Sequence, residues 1–154
     1  MALPENLQDV LEALYSALSQ GDLATWAGMH AEDVVFNVNG STPVSGRTEG
    51  KQALMEGILP QLFSRINPDT ARIGVNWKCM CADENRAVVI FEGYSETLEG
   101  NPYNNRYLQV LEFGDDGLIR EVWEFFDTAL AENVLFTPEQ HPPEGTTAFQ
   151  YQEP

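Results

Sequence analysis

The sequence predicts an α+β fold in which three N-terminal helices cover a curved antiparallel sheet, forming a cone with an internal apolar pocket. Two observations favour this fold. Apolar residues in the first half recur at the 3.6-residue spacing of helices, whereas those in the second half alternate with the period of two typical of strands. Short turn sequences separate consecutive strands, which indicates an antiparallel meander. An enclosed apolar interior is a common site for small ligands.

The first half contains three predicted helices and one short strand. The first helix carries an apolar stripe, formed by Leu7, Val10, Leu11, Leu14 and Leu18. Asp22 can cap a second helix that continues to His30. A strand follows at residues 34–38. Thr48 can then cap a third helix, which Pro60 should kink or divide.

The second half contains four predicted strands between residues 72 and 127, separated by polar turns at 83–85, 99–102 and 114–117. The pattern ends near Phe136. We therefore expect one domain over residues 1–136 and an irregular tail over residues 137–154. Phe149 and Tyr151 of that tail are predicted to dock on a partner or to wall the cavity mouth.

The charge balance excludes several classes of function. The 154 residues include 24 acidic and 8 basic ones, a formal net charge of −16. Nucleic-acid binding requires clustered Lys and Arg, and anionic membrane surfaces attract the same residues, so neither partner is expected. The chain also has no secretory signal pattern and no apolar run of membrane-spanning length. These features predict a soluble, cytoplasmic protein.

The sequence gives little support for a metal or cofactor. Cys79 and Cys81 form a C-x-C pair, but zinc needs about four ligands and only His30 and His141 could join them from distant segments. No P-loop or dinucleotide-binding glycine motif occurs. We expect no metal and no cofactor.

Glu124 is the strongest candidate for catalysis. On the last predicted strand it shares a face with Val122 and Phe126. If that face lines the cavity, Glu124 is a lone carboxylate in an apolar pocket. Desolvation raises the pKa of such a group, which suits a general acid or base near neutral pH. If the strand faces the other way, Glu124 is exposed or paired with an arginine.

Other candidates surround this glutamate. The preceding strand should present Asn105, Tyr107, Gln109 and Leu111 to the same side. Its three polar side chains are predicted ligand donors or an internally satisfied polar network. Leu111, Val122 and Phe126 are predicted to contact the substrate. Trp26, Phe36 and Val38 are predicted wall residues. His30 could relay protons to Glu124 or simply pack at a helix end. We interpret Asp127 as a structural capping residue.

Several segments resemble the nuclear transport factor two-like superfamily, and within it the SnoaL-like, ketosteroid-isomerase-related branch. They are residues 20–23 (QGDL), 31–36 (AEDVVF), 100–108 (GNPYNNRYL), 112–119 (EFGDDGLI) and 123–127 (WEFFD). The phenazine-biosynthesis A/B proteins are similar in the last strands, and that resemblance implies an acid/base role for Glu124. The likeness spans about residues 7–136. It also implies a homodimer formed through the outer sheet face, to which Trp77, Trp123 and Phe125 could contribute an apolar patch.

The resemblance does not carry over all of the family's chemistry. The three functional positions of ketosteroid isomerases correspond here to Val38, Leu14 and Gln109, with Tyr15 one residue off the required helical face. Epoxide hydrolases of the family use an arginine between two carboxylates, but Arg106 should point away from the cavity. The residues therefore favour a cofactor-independent isomerase, cyclase or dehydratase that acts by general acid–base catalysis on a small apolar oxygenated metabolite. The alternatives are a non-catalytic binding or scaffold module and an epoxide hydrolase with an altered constellation.

Overall fold

The computed structural model describes residues 6–148 and contains a six-stranded sheet covered on its concave face by helices. The helices are α1 (Leu7–Gln20), α2 (Leu23–Gly28), α3 (Lys51–Ala53), α4 (Leu59–Phe63) and α5 (Thr128–Val134), with a π-helical turn at Leu54–Ile58. The strands are β1 (His30–Val38), β2 (Gly46–Glu49), β3 (Arg72–Ala82), β4 (Arg86–Glu96), β5 (Pro102–Phe113) and β6 (Ile119–Phe126). No helix in this part of the chain is long and apolar enough to cross a bilayer.

The predicted α+β class and the meander are confirmed, with one difference in strand direction. Strands β3 to β6 pair with their chain neighbours in antiparallel fashion. The strand order is β2-β1-β6-β5-β4-β3, and β1 runs parallel to β6. The sheet is therefore mixed. Its one parallel pair joins β1, the first strand in the chain, to β6, the last.

The helix boundaries follow the predicted capping signals at the start of the chain. Gly21 ends α1 in a left-handed conformation, with φ of 73°. The Asp22 side chain accepts a hydrogen bond from the Thr25 amide and so caps α2. However, α2 ends at Gly28, and His30 begins β1 instead of continuing the helix.

The third helical region differs more from its prediction. Thr48 does not cap a helix. It lies in β2, where its hydroxyl and that of Thr146 are 3.0 Å apart. The helical run begins only at Lys51, after Gly50. Pro60 lies in the first turn of α4, directly after the π-helical turn, so the helical run continues through it and changes its hydrogen-bond pattern there.

The C-terminal part adds one short helix that the sequence pattern did not indicate. Asp127 accepts a hydrogen bond from the Leu130 amide and caps α5, which confirms its structural interpretation. The following residues, 137–148, form no helix and cross the domain surface, with Thr147 bridging to Arg47 of β2. Phe149 and Tyr151 lie outside the described residues.

The main core fills the space between α1 and the concave sheet face. Fully buried members include Leu11, Leu14 and Tyr15 of α1 and Val89 and Leu111 of the sheet. Trp77 also lies on this side, since its ring stacks on Tyr15 with a centroid separation of 5.7 Å. Its predicted place in the outer, dimer-forming face is therefore wrong.

Candidate active site

An apolar pocket of about 80 Å³ lies inside the cone, between the helices and the inner face of the sheet. Most of its lining is aliphatic or aromatic. The polar groups on its wall are Tyr103, Tyr107, Gln109 and Glu124. Glu124 is the one charged residue among the wall residues that the structure describes. Apolar surroundings disfavour the charged form of a carboxyl group and so raise its pKa.

The strand faces are those that the sequence predicts. Gln109 on β5 stands directly opposite Glu124 on β6, and Tyr107 stands opposite Phe126. All four side chains reach the pocket wall. The predicted wall residues Trp26, Phe36 and Val38 lie there as well.

Glu124 has one side-chain partner among residues 6–148. The Gln109 amide nitrogen Nε2 donates to its Oε2 at 2.5 Å, and no lysine, arginine or histidine forms an ion pair with it there. Burial raises the pKa of Glu124 above its ordinary value, and the hydrogen bond from Gln109 offsets part of that rise. The carboxyl group of Glu124 is therefore easier to protonate than that of an ordinary glutamate. When it is ionised, the Gln109 amide donates a hydrogen bond to it.

Tyr15 extends this polar contact into a chain of three side chains. Its hydroxyl donates to Gln109 Oε1 at 3.0 Å, which orients the Gln109 amide nitrogen toward Glu124. Burial, together with the nearby charge of Glu124, raises the pKa of Tyr15 well above its ordinary value, so the phenol stays protonated and remains a donor. The prediction that Tyr15 lies one residue off this face is wrong. Leu14 packs in the core, and Tyr15 reaches the site.

A second polar group lies at the other end of β5. The Tyr107 and Tyr103 hydroxyls are 3.4 Å apart, and the Asn105 amide donates to the Tyr103 hydroxyl at 3.0 Å. Burial raises the pKa values of both tyrosines, so both are neutral donors. Tyr103 is a wall residue outside the predicted set.

Three residues predicted to bind substrate do not line the pocket. Asn105 is used structurally, because its amide also contacts the backbone of Asp127 on both its donor and acceptor sides. Leu111 and Val122 share the predicted face but lie further along the strands, fully buried in the core. These assignments are corrected accordingly.

His30 does not serve the predicted proton relay. Its ring packs against Trp26 at a centroid separation of 4.2 Å and against Phe36 at 5.7 Å, behind the pocket wall. Its Nδ1 lies 2.8 Å from the Trp26 carbonyl oxygen. Burial lowers the pKa of His30 to about 4, so the ring is neutral near neutral pH. The alternative, a histidine packed at a helix end, is the one that the structure supports.

The remainder of the wall comes from parts of the chain that sequence reasoning did not assign to the site. The third helical region contributes half of it, and the apolar spacing of that region is the sequence feature that indicates these residues. These wall residues are Leu18, Leu54, Ile58, Leu59, Leu62, Phe63, Ile66, Ile73, Phe91 and Leu135.

The positions of the charged residues argue against the epoxide-hydrolase alternative. Arg106 pairs with Glu92 at 2.9 Å on the outer sheet face, so it takes no part in the pocket. The described wall thus lacks both the arginine and the second carboxylate of an epoxide hydrolase. Within residues 6–148, no group of three or more His, Cys, Asp or Glu is arranged to hold a metal ion.

Comparison with known protein families gives one match that covers most of the chain. A sequence model of the SnoaL-like domain matches residues 11–122. No curated protein matches the chain by sequence. The matched range includes Tyr15 and Gln109 and ends two residues before Glu124.

Solved structures resemble the chain in fold. An NTF2-like protein of unknown function from Burkholderia pseudomallei is 16% identical with a TM-score of 0.71, over 84% of this chain and 97% of that one. A protein provisionally named a polyketide cyclase from Pseudomonas putida is 20% identical with a TM-score of 0.64, over 82% and 96%. A protein provisionally named an isomerase from Bacillus subtilis is 20% identical with a TM-score of 0.64, over 83% and 94%.

Proposed function

The chain belongs to the SnoaL-like domain family of the nuclear transport factor two-like superfamily, and from this premise we propose that it is an acid–base enzyme. Its reaction is an isomerisation, cyclisation or dehydration of a small apolar, oxygenated metabolite. The observation that carries this proposal is the lone Glu124 carboxylate in an apolar pocket, held by one neutral donor. The names of the polyketide cyclase and the isomerase among the structural relatives are consistent with it.

The proposed chemistry uses Glu124 as the group that moves the proton. Its carboxylate takes a proton from a carbon next to a substrate carbonyl, and the electron pair shifts to the carbonyl oxygen. The protonated Glu124 then returns that proton to another carbon, or to a departing hydroxyl group. A carboxylate with a raised pKa suits both steps, because its pKa lies closer to the operating pH.

The neutral donors would orient the substrate. The Tyr103 and Tyr107 hydroxyls lie on the same pocket wall. Tyr107 donates to Tyr103, and the Tyr103 hydroxyl can donate to a carbonyl or ether oxygen of the substrate. Both stay protonated because burial raises their pKa values. Gln109 and Tyr15 act through Glu124, as positioning residues that hold its carboxylate in place.

Hydrogen–deuterium exchange at carbon tests this function without the natural substrate. The protein is incubated in D₂O with a panel of small cyclic ketones, and deuterium uptake at the α-carbon is followed by NMR. We expect uptake with at least one panel member, reduced roughly 10²–10⁴-fold by Glu124→Gln. Tyr15→Phe should instead retain activity and shift its pH profile to higher pH, since weaker donation from Gln109 lets the pKa of Glu124 rise.

Glu121→Gln is the matched control. Glu121 lies on the same strand but pairs with Arg47 at 3.1 Å, on the other face of the sheet. That variant should exchange deuterium at the wild-type rate. Equal rates for wild type and Glu124→Gln would contradict the proposal.

A binding module is the second candidate function. It is favoured by the single carboxylate in the described wall and by Asn105, whose polar atoms are already used within the sheet. A binder would take up apolar ligands without exchanging their protons. Ligand binding retained in wild type, with no deuterium uptake from any panel member, would favour it over the enzyme.

A further inference from the structure

A second, outer chamber adjoins the pocket. It has a volume of about 280 Å³ and shares Leu18, Phe63, Ile66 and Ile73 with the inner wall. Its remaining lining includes the exposed residues Gln20, Gly21, Pro68 and Arg72, so this chamber opens to solvent. The two cavities are therefore neighbours, with these four side chains between the solvent-exposed chamber and the one that contains Glu124.

The sizes of the two chambers constrain what can bind. Pockets for small molecules usually measure roughly 300–1,000 Å³, whereas the inner chamber measures about 80 Å³. Only a small apolar part of a metabolite fits beside Glu124. A larger substrate needs room outside this chamber, and the outer chamber adjoins it along the shared side chains.

Arg72 gives the outer chamber its charge. Six of the eight basic residues form ion pairs, and the two that form none within residues 6–148 are Arg72 and Lys78. The hydrogen bond found for the Arg72 side chain goes to the neighbouring Ala71 carbonyl. Its guanidinium group thus keeps most of its donors available at the chamber wall.

An available guanidinium is notable in a chain with a net charge of −16. The overall field repels anions, so an anionic ligand needs a local cation on its path. A carboxylate is the group that a guanidinium binds best, because its two oxygens match two parallel N–H donors. Lys78 does not line either chamber.

We propose that Arg72 binds the carboxylate of an amphipathic substrate whose apolar, reactive end enters the inner chamber beside Glu124. This inference names the substrate class of the proposed function and rests on it. The substrate is then a small carboxylic acid with a non-polar end, oriented by the cation at the mouth and by the tyrosines inside.

Binding of a matched pair of probes tests the inference. The probes are 4-phenylbutyrate and its uncharged amide, and their affinities are measured by isothermal titration calorimetry at low salt. Exposed ion pairs contribute modestly to affinity, so we expect the carboxylate to bind about 1.5- to fivefold more tightly than the amide. The preference should decrease as salt is added.

Four variants locate the effect. Arg72→Gln should abolish the preference for the carboxylate, and Arg72→Lys should retain part of it. Lys78→Gln, the matched loss of an unpaired cation on the same strand, should leave the preference intact. Glu124→Gln should also retain it, so the preference is measured independently of the catalytic proposal.

Two results would overturn the inference. One is equal affinity of wild type for both probes, which includes failure of the carboxylate to bind up to its solubility limit. The other is a preference that survives in Arg72→Gln. Because these readouts do not involve turnover, they are distinct from an unchanged exchange rate in Glu124→Gln, which would overturn only the catalytic role.

Discussion

Two glutamates of β6 show how strongly a single strand position determines side-chain chemistry. Glu121 faces outward and accepts hydrogen bonds from Asn37 at 2.8 Å and Arg47 at 3.1 Å. Glu124 faces inward, and its single side-chain partner in the described chain is neutral Gln109. Period-two alternation separates the two, so one carboxylate is stabilised by a cation and the other is desolvated.

His30 gives a prediction for pH at the same scale. Burial lowers the pKa of His30 to about 4, whereas an unfolded histidine titrates near its ordinary value of 6.5. The unfolded chain therefore binds more protons between these pH values, and stability is lost as the pH falls through that window. A shift of this size corresponds to roughly 3 kcal/mol between pH 7 and pH 4.

Urea unfolding of His30→Phe and wild type at pH 7 and pH 4 measures this contribution. The variant should gain roughly 3 kcal/mol relative to wild type as the pH falls, since phenylalanine takes up no proton in either state. His141→Phe, at an exposed position in the tail, is the control and should show no such gain. A constant difference between His30→Phe and wild type at both pH values would contradict the prediction.

At the scale of elements, the contact between α1 and β3 depends on Gly74. This residue has φ of +91°, and a Cβ added there would lie 3.1 Å from the Tyr15 carbonyl oxygen and 3.2 Å from the Leu18 side chain. Both neighbours support the site, since Tyr15 orients Gln109 and Leu18 lies on the pocket wall. The close approach of these two elements therefore helps to hold the polar chain in place.

Gly74→Ala should cost roughly 2–4 kcal/mol of unfolding free energy, from backbone strain and from overpacking together. Gly100→Ala is the matched control, because Gly100 has φ of +85° but nothing within 4 Å of an added Cβ. That control should show only the strain, about 1–2 kcal/mol. Thermal and urea unfolding measure both, and equal losses for the two variants would show that the contact with α1 contributes nothing.

The elements also show what a sequence pattern can predict. The face of β6 that carries Glu124 follows from alternation along one strand, which is local information, and the structure has that face inward. Which side of β3 faces the helices is not local information, and the prediction for Trp77 is wrong for that reason. The parallel pairing of β1 with β6 likewise joins residues such as Val38 and Glu124 that are 86 positions apart, beyond any turn signal.

The missed site residues have similar physical reasons. Adjacent helix residues point about 100° apart, so an error of one position in α1 exchanged Leu14 for Tyr15. The wall residues of the third helical region were recognised as apolar, but only the folded arrangement decides which apolar residues face a cavity and which fill the core. Leu111 and Val122 illustrate the second case.

At the scale of the whole molecule, the outer sheet face carries an apolar patch in two rows across β4, β5 and β6. One row is Val88, Val110 and Trp123, and the other is Ile90, Leu108 and Phe125. None of the six is fully buried, and Phe125 is 43% exposed. Ion pairs flank the patch on both sides, Arg86 with Glu112 and Arg106 with Glu92.

An apolar centre with a charged rim is the composition of a protein–protein interface. The dimer implied by the family resemblance would use this face. The patch contains the predicted Trp123 and Phe125 together with four aliphatic residues, whereas Trp77 lies on the inner side of the sheet. We expect two copies to pair through these rows, because a two-fold axis through the patch brings each row against its own equivalent.

Sedimentation velocity of Phe125→Asp tests this expectation. Wild type should sediment with twice the mass of one chain, and the variant should sediment as a single chain, because each copy would place a carboxylate within the apolar contact. Leu98→Asp is the control: Leu98 is 64% exposed in the turn after β4, away from the patch, and its substitution should leave the dimer intact. A wild-type protein that stays monomeric at high concentration, or a Phe125→Asp variant that still dimerises, would exclude this face as the dimer interface. Since the pocket opens on the opposite side of the sheet, a monomeric Phe125→Asp that keeps its deuterium exchange would also show that each subunit contains a complete site.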